Sequence, residues 1–319
     1  MGLGRADLTF SLLGRKYGSP WIYAALEQGM EAYSGQATCF ELDEVYHWRE
    51  INQHTTFVAV AGFGPSQRAT TQVLNAAFKQ NDLNVRCLPI EVGGVQRLKK
   101  MLDVLKVRAI IVSGGLGRQL LPLAEHVDEH DAQSQYIDLL LKRDDGWHGY
   151  NTLWRAALKT LEEEIGGEGV KRPLDRQNVL VLGNGGTAQS LAYAVTQRKG
   201  MVSICGNDDK ATLRISTEVG CRHVPFHKLY DTFVDVVIIA DASLRLGVNH
   251  GQINGSLFRE SMTVADVSNL PAESELLIEA RERGCRVIDA KAIFQRQLGS
   301  QFKSFSGREL PDEALNEIG

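Results

Sequence analysis

No stretch of this sequence approaches the ~20 consecutive apolar residues that a membrane-spanning helix requires. The charged start at Arg5 and Asp7, with no apolar region after it, does not read as a secretory signal. Cysteine is scarce. Cys39, Cys87, Cys205, Cys221 and Cys285 are odd in number, scattered and without Cys-x-x-Cys spacing, which argues against a disulfide framework or a thiolate zinc site. Most sit in strand-like contexts and read as small buried hydrophobes, reduced in a cytoplasmic protein. Excess positive charge is missing too. The 35 Lys and Arg stand against 39 Asp and Glu, so no basic surface recommends nucleic acid or an anionic membrane as a partner. The 8 histidines form no metal constellation. His126, His130 and Asp131 cluster weakly in what reads as a surface helix and loop, and no metal is expected. Mixed charge runs such as Lys142-Arg143-Asp144-Asp145 read as solvated loops.

What is present is an α/β pattern in a chain long enough, at 319 residues, for two domains. Residues 178–188 read Asn-Val-Leu-Val-Leu-Gly-Asn-Gly-Gly-Thr-Ala: a buried strand, a glycine-rich turn, then an Ala-rich helical stretch. Gly183, Gly185 and Ala188 fit G-x-G-x-x-[GA]. The first glycine permits the tight turn, the second lets backbone approach a pyrophosphate, and the small third residue lets the helix pack close to the strand. The helix amides at Gly186 and Thr187 then face the phosphates. A second strand, Val202–Cys205, follows at the right distance, which gives the motif its context. A glycine turn that binds nothing remains the alternative.

Upstream, strands at Phe57–Ala61, Val85–Ile90, Ala109–Val112 and Ile137–Leu141 alternate with helices at Thr70–Lys79, Val95–Leu105, Leu120–His126 and Trp154–Ile165. Downstream, strands Val234–Ala240, Thr263–Asp266 and Arg286–Asp289 continue the alternation, and Ile293–Phe305 reads as a helix able to pack back on the first domain. Two layers of parallel sheet are expected. Residues 167–175 form a glycine- and charge-bearing linker before the glycine-loop strand. The first 50 residues differ, with a strand suggested after the turn at Gly18-Ser19-Pro20 and a helix over Thr38–Arg49. They are too few to hold a core alone and must pack on the rest or on a partner.

This order of signals resembles the shikimate dehydrogenase family over residues 55–311. Gly149-Tyr150-Asn151-Thr152 with Trp154 is similar to the family's GYNTDxxG segment, and Asn75-Ala76-Ala77-Phe78 to the helix after its substrate-binding turn. Pro122-Leu123 and Val127-Asp128 are similar to the helix after its catalytic loop. Asp266-Val267 with Pro271, Glu273 and Ser274 matches its DVVYNPxET stretch, and Gln297, Phe302 and Gly307 its C-terminal spacing. Residues 1–52 resemble instead the C-terminal end of type I dehydroquinate dehydratase, through Gly18-Ser19-Pro20, Tyr23-Ala24-Ala25-Leu26 and Ser34-Gly35-Gln36. That barrel's lysine would lie upstream, so no dehydratase chemistry is expected. The implied division is a tail over 1–52, a substrate domain over 53–155 plus 293–319, and a Rossmann-type dinucleotide-binding domain over 156–292.

The resemblance implies a lysine–aspartate pair for proton transfer, and here the sequence departs from it. Gly117 takes the lysine's place and Leu153 the aspartate's. Arg118, next along, stays protonated and cannot act as a base. Asp138, where the family has an asparagine, is a weak candidate for a replacement base and reads more simply as a capping or solvent-facing residue. The family's carboxylate-binding serines align with Arg68 and Thr70, where an arginine could clamp an anion. Ser113, Asn151, Thr152 and Gln297 remain compatible with polar ligand contacts, although Asn151 and Thr152 suit a helix cap equally well. At the end of the second strand the family's NADP-binding arginine is replaced within Asn207-Asp208-Asp209. Carboxylates there repel a 2′-phosphate and accept from ribose hydroxyls, so NAD is favoured over NADP, with neither bound as the alternative. Two readings follow: an oxidoreductase on a small hydroxy acid or other anion, with weak or altered activity, or an inactive homologue that binds nucleotide or anion or serves structurally. A homodimer is compatible with either.

Overall fold

The computed structural model describes residues 6–317 apart from 63, 93–94, 113–115, 167–169 and 250. The chain opens on α1 (Asp7–Lys16), followed by an irregular arm. A first sheet is then built from β1 (Thr56–Ala61), β2 (Val85–Ile90), β3 (Val107–Ile111), the two-residue β4 (His126–Val127), β5 (Leu139–Arg143) and β6 (Gly146–Tyr150). Its helices are α2 (Pro65–Gln80), α3 (Val95–Leu105), α4 (Leu116–Leu120) and α5 (Glu129–Ser134). The strand order is β2-β1-β3-β5-β6-β4. β1, β2 and β3 run parallel, whereas β5 pairs antiparallel with both β3 and β6. The first sheet is therefore mixed rather than parallel. Lys142 and Arg143 end β5 instead of lying in a loop, and Asp144-Asp145 makes the hairpin turn into β6.

The second sheet is parallel throughout, in the order β12-β11-β10-β7-β8-β9. Its strands are β7 (Asn178–Leu182), β8 (Met201–Cys205), β9 (Arg222–His223), β10 (Val236–Ile239), β11 (Thr263–Asp266) and β12 (Arg286–Val287). The long helix α6 (Thr152–Gly166) precedes this sheet. α7 (Gly186–Gln197), α8 (Asp209–Val219) and α9 (Glu275–Glu282) cover it, and α10 (Ala290–Ser306) returns to pack on α6. Strands buried on both faces read as continuous apolar runs, which is why Val-Leu-Val-Leu in β7 and Val-Val-Ile-Ile in β10 were visible in the sequence. One core runs through both sheets by way of Leu158, Leu161, Phe294 and Phe302.

Residues 6–52 pack on the rest of the chain. Leu12 and Leu13 of α1 join Phe57, Leu88 and Ile90 on the other face of the first sheet. The Lys16 ammonium donates to the Thr55 carbonyl at 2.7 Å. The buried Arg86 guanidinium holds the Tyr46 carbonyl at 3.0 Å and Glu50 at 2.7 Å. The local reading of this region fails, however. The strand expected after Gly18 reduces to one bridge between Ala25 and Thr38, and the helix expected over Thr38–Arg49 to a π turn at Glu41–Val45 and a 3₁₀ turn at Trp48–Glu50. An extended segment needs a neighbour for its amides and carbonyls, and the pairing partners in the first sheet all come from residues 56–150.

Candidate functional site

The glycine loop sits at the carboxyl end of β7, between β8 and β10, where the strand order of the parallel sheet reverses. Open α/β sheets bind ligands at this switch point. Gly183 has φ +151°, and its amide donates to Cys205 O at 2.8 Å. A Cβ there would lie 3.1 Å from the Asp241 Cβ and 3.2 Å from the Ala188 Cβ, so glycine allows the turn and the buried Ala188 allows α7 to approach. Gly185 is the extended residue before α7, and a Cβ on it would meet nothing within 4 Å. That face is open to a ligand. Gly186 differs: its Cβ would come within 2.9 Å of the Tyr136 ring. The Thr187 side chain lies beside the Tyr136 phenol. One edge of the cradle is therefore open, and the other is covered by an aromatic side chain from the segment between α5 and β5.

The same ring packs against Gly117. This glycine, the expected counterpart of the family's lysine, is buried in α4, and a Cβ on it would collide with Tyr136 Cε2 and reach 2.5 Å from the Ile137 carbonyl oxygen. Tyr136 is 1% exposed, and burial pushes its phenol well above the ordinary range. The residue is wedged between Gly117 and Gly186, touching the glycine loop of the second sheet from the side of the first. Arg118 also reaches across, to Glu218 of α8 at 3.9 Å.

Leu153, the expected counterpart of the family's aspartate, is buried in the main core. Asp138 is fully buried and accepts four hydrogen bonds: from Thr152 N and Oγ1 at 2.8 Å each, from Leu153 N at 2.6 Å and from Gln297 Nε2 at 3.1 Å. Burial pushes its carboxyl up to about 6 against the pull of those donors. Both oxygens hold the start of α6, a favourable place for a negative charge. Asp138 is thus a capping acid rather than a solvent-facing residue. Asn151 and Thr152 share this work. Asn151 Oδ1 accepts from Trp154 N at 3.3 Å and its amide donates to Ser190 of α7 at 2.6 Å, while Thr152 Oγ1 accepts from Gln301 at 3.0 Å.

Between α2, the ends of β1 and β3, and α10 lies a cavity of about 30 Å³. That is room for about one or two waters, whereas small-molecule pockets run to hundreds of Å³. Its polar lining comprises Ser66, Gln67, Thr70, Gln297 and Gln301. Among the described residues, none that lines it is a lysine, histidine, aspartate or glutamate. Of the residues expected to bind substrate, Thr70 and Gln297 line this cavity, whereas Arg68 is exposed and does not line it. Ser113 lies outside the described residues. Ser66 and Gln67 were missed because the helix was expected to start at Thr70. It starts at Pro65, a residue suited to the first helical position, and Ser66, Gln67 and Thr70 then share one face.

At the end of β8, Asn207 accepts a hydrogen bond from the Asn184 amide, and the Asp208 amide donates to Asn184 Oδ1 at 3.3 Å. Asp208 also caps α8, with Oδ1 accepting from Lys210 N at 3.0 Å and Ala211 N at 3.1 Å. Its carboxylate is exposed at the glycine loop's edge, so the residues there suit a dinucleotide with free ribose hydroxyls better than one carrying a phosphate. The expected weak cluster of His126, His130 and Asp131 does not form. Asp131 is buried and bound by Arg155 at 2.7 Å, Trp154 Nε1 and Asn151 N, while His126 groups with other partners.

No protein-family model matches the chain. It is 23% identical over 330 residues to the chloroplastic bifunctional 3-dehydroquinate dehydratase/shikimate dehydrogenase of Arabidopsis thaliana, an alignment that takes in 99% of this chain. The chain spans about half, 55%, of that relative's length. It is 24% identical to the NADP(+) shikimate dehydrogenase of Aquifex aeolicus over 82% of this chain and 95% of the relative. Among solved structures, the Aquifex aeolicus shikimate dehydrogenase superposes with a TM-score of 0.71 at 23% identity, covering 84% of this chain and 99% of that one. The quinate dehydrogenase of Corynebacterium glutamicum in complex with NAD gives 0.67 at 22% identity, covering 83% and 98%. No described helix is long and apolar enough to cross a membrane. The chain thus has the shikimate dehydrogenase-like fold of two α/β units, the second of Rossmann type, and its sequence similarity to shikimate dehydrogenases supports kinship with that oxidoreductase family.

Proposed function

We propose that this chain is a shikimate dehydrogenase homologue that has lost ordinary turnover of shikimate and kept a nucleotide cradle, with NAD preferred to NADP. The observation that carries the reading is Tyr136, which packs against Gly117 and covers Gly186. Oxidising a secondary alcohol needs a group to receive the hydroxyl proton, and one such group contributes roughly 10²–10⁴-fold. The cavity lining offers none, and Asp138 is committed to the start of α6. A dinucleotide, when bound, would supply the hydride acceptor. Gly183, Gly185 and Thr187 would hold its phosphates and Asp208 its ribose.

A second reading, an active oxidoreductase with a different substrate, is favoured by the open face of Gly185 and by the polar set Thr70, Gln297 and Gln301. It requires a new base, for which the lining gives no group. In this account residues 53–155 and 293–319 form the substrate-side domain, residues 156–292 the nucleotide domain, and residues 1–52 descend from a dehydratase tail now packed on the first sheet.

Thermal shift with millimolar NAD or NADH tests the cradle. A rise in Tm with NAD, larger than with NADP, is expected, and no shift with either refutes the nucleotide role. Asp208→Arg should raise NADP affinity relative to NAD. Loss of the α8 cap costs both cofactors about 1 kcal/mol of host stability alike, so the affinity ratio is the quantity to read, and an unchanged ratio overturns the specificity assignment.

A further inference from the structure

Outside the cleft, the outer edge of the first sheet carries two histidines and a carboxylate aimed at one point. His126 of β4 and His148 of β6 are register partners across a parallel pair, so their side chains emerge side by side on one face. Their rings stack with centroids 4.5 Å apart. Asp145, in the turn before β6, reaches both: Oδ1 lies 2.8 Å from His148 Nε2, and Oδ2 lies 3.5 Å from His126 Nε2. One ligand atom from each residue can be chosen so that all lie within 4.8 Å of one another. None of the three lines the cavity between α2 and α10.

We propose that His126, Asp145 and His148 form a binding site for a divalent transition-metal ion of the zinc type. Zinc takes imidazole nitrogen and carboxylate oxygen at about 2.0–2.2 Å in tetrahedral array. Two such ligands are therefore about 3.3 Å apart; Asp145 offers a different oxygen to each histidine, Oδ1 at 2.8 Å from His148 and Oδ2 at 3.5 Å from His126, and one ligand atom from each residue falls within 4.8 Å of the others. The donor set excludes calcium and magnesium as preferred guests, since both favour all-oxygen shells. Register fixes two of the three ligands, so little ordering is needed on binding. Three protein ligands leave a fourth position to water or to a ligand atom from outside. The bound ion would clip the two-residue edge strand β4 to the β5–β6 hairpin.

The plain alternative is a proton-shared Asp–His cluster. Titration calorimetry of the untagged chain with Zn²⁺ in a non-coordinating buffer at pH 7.5 separates the two. One site of micromolar affinity is expected, weakened at least about tenfold by His126→Ala, by His148→Ala and by Asp145→Asn, and unchanged by His54→Ala. Co²⁺ should give the visible absorption of a four-coordinate ion. No saturable binding below about 1 mM, or a site indifferent to His148→Ala, overturns the proposal. Melting curves of the metal-free variants confirm that each is folded before titration.

Discussion

Gly117→Ala should destabilise the protein by about 3 kcal/mol, at the upper end of what overpacking a core usually costs. The added methyl would collide with the Tyr136 ring and lie 2.5 Å from the Ile137 carbonyl oxygen. The ring could swing only by leaving Thr187 and Gly186, and the carbonyl is backbone. Removing the ring as well, in Gly117→Ala/Tyr136→Ala, should recover only part of the loss relative to Tyr136→Ala alone, because the Ile137 contact remains. Chemical denaturation followed by fluorescence and by circular dichroism reads these differences. A neutral Gly117→Ala would mean that the ring does not pack against Gly117 as described. Gly117→Lys meets the same obstacle, so restoring the family residue alone should not restore activity.

Asp138→Asn should cost a similar amount, about 3 kcal/mol at neutral pH, since it strands buried donors. An asparagine offers one acceptor oxygen where the carboxylate offers two. Its amide nitrogen would face Leu153 N and Gln297 Nε2, or Thr152 N and its hydroxyl, all of them donors to Asp138. The pH dependence has a definite sign. Burial lifts the folded carboxyl to about 6, above the ordinary aspartate value of about 3.9, so between those values the native state holds the proton more tightly than the unfolded chain. The contribution of this group to stability therefore falls as pH rises from about 4 through about 6. The advantage of wild type over the asparagine variant should narrow across that window. An advantage that widens would show that the four donors outweigh burial.

The nucleotide half was legible because its signals are local. Parallel strands buried on both faces are continuous apolar runs, and the glycine loop follows one of them directly. The substrate half was less so. Gly149-Tyr150-Asn151-Thr152 was read as a motif, and this hid the strand that Gly146–Tyr150 forms against β5. Asp138 was correctly considered as a cap, but its partners lie 14 to 159 residues away in sequence. Tyr136 drew no notice, since nothing in its neighbours announces that its ring packs against Gly117. The glycine is visible in the sequence; the ring beside it is visible only in three dimensions.

The most direct test is a steady-state assay of the purified chain with shikimate and with quinate, each with NAD and with NADP. The described cavity lining, which holds no lysine, histidine, aspartate or glutamate, and the buried Tyr136 predict turnover more than a hundredfold below that of an ordinary dehydrogenase with every pair. Turnover within a hundredfold for any pair would contradict the account, because a proton acceptor would then have to stand where Gly117, Leu153 and the capping Asp138 leave none.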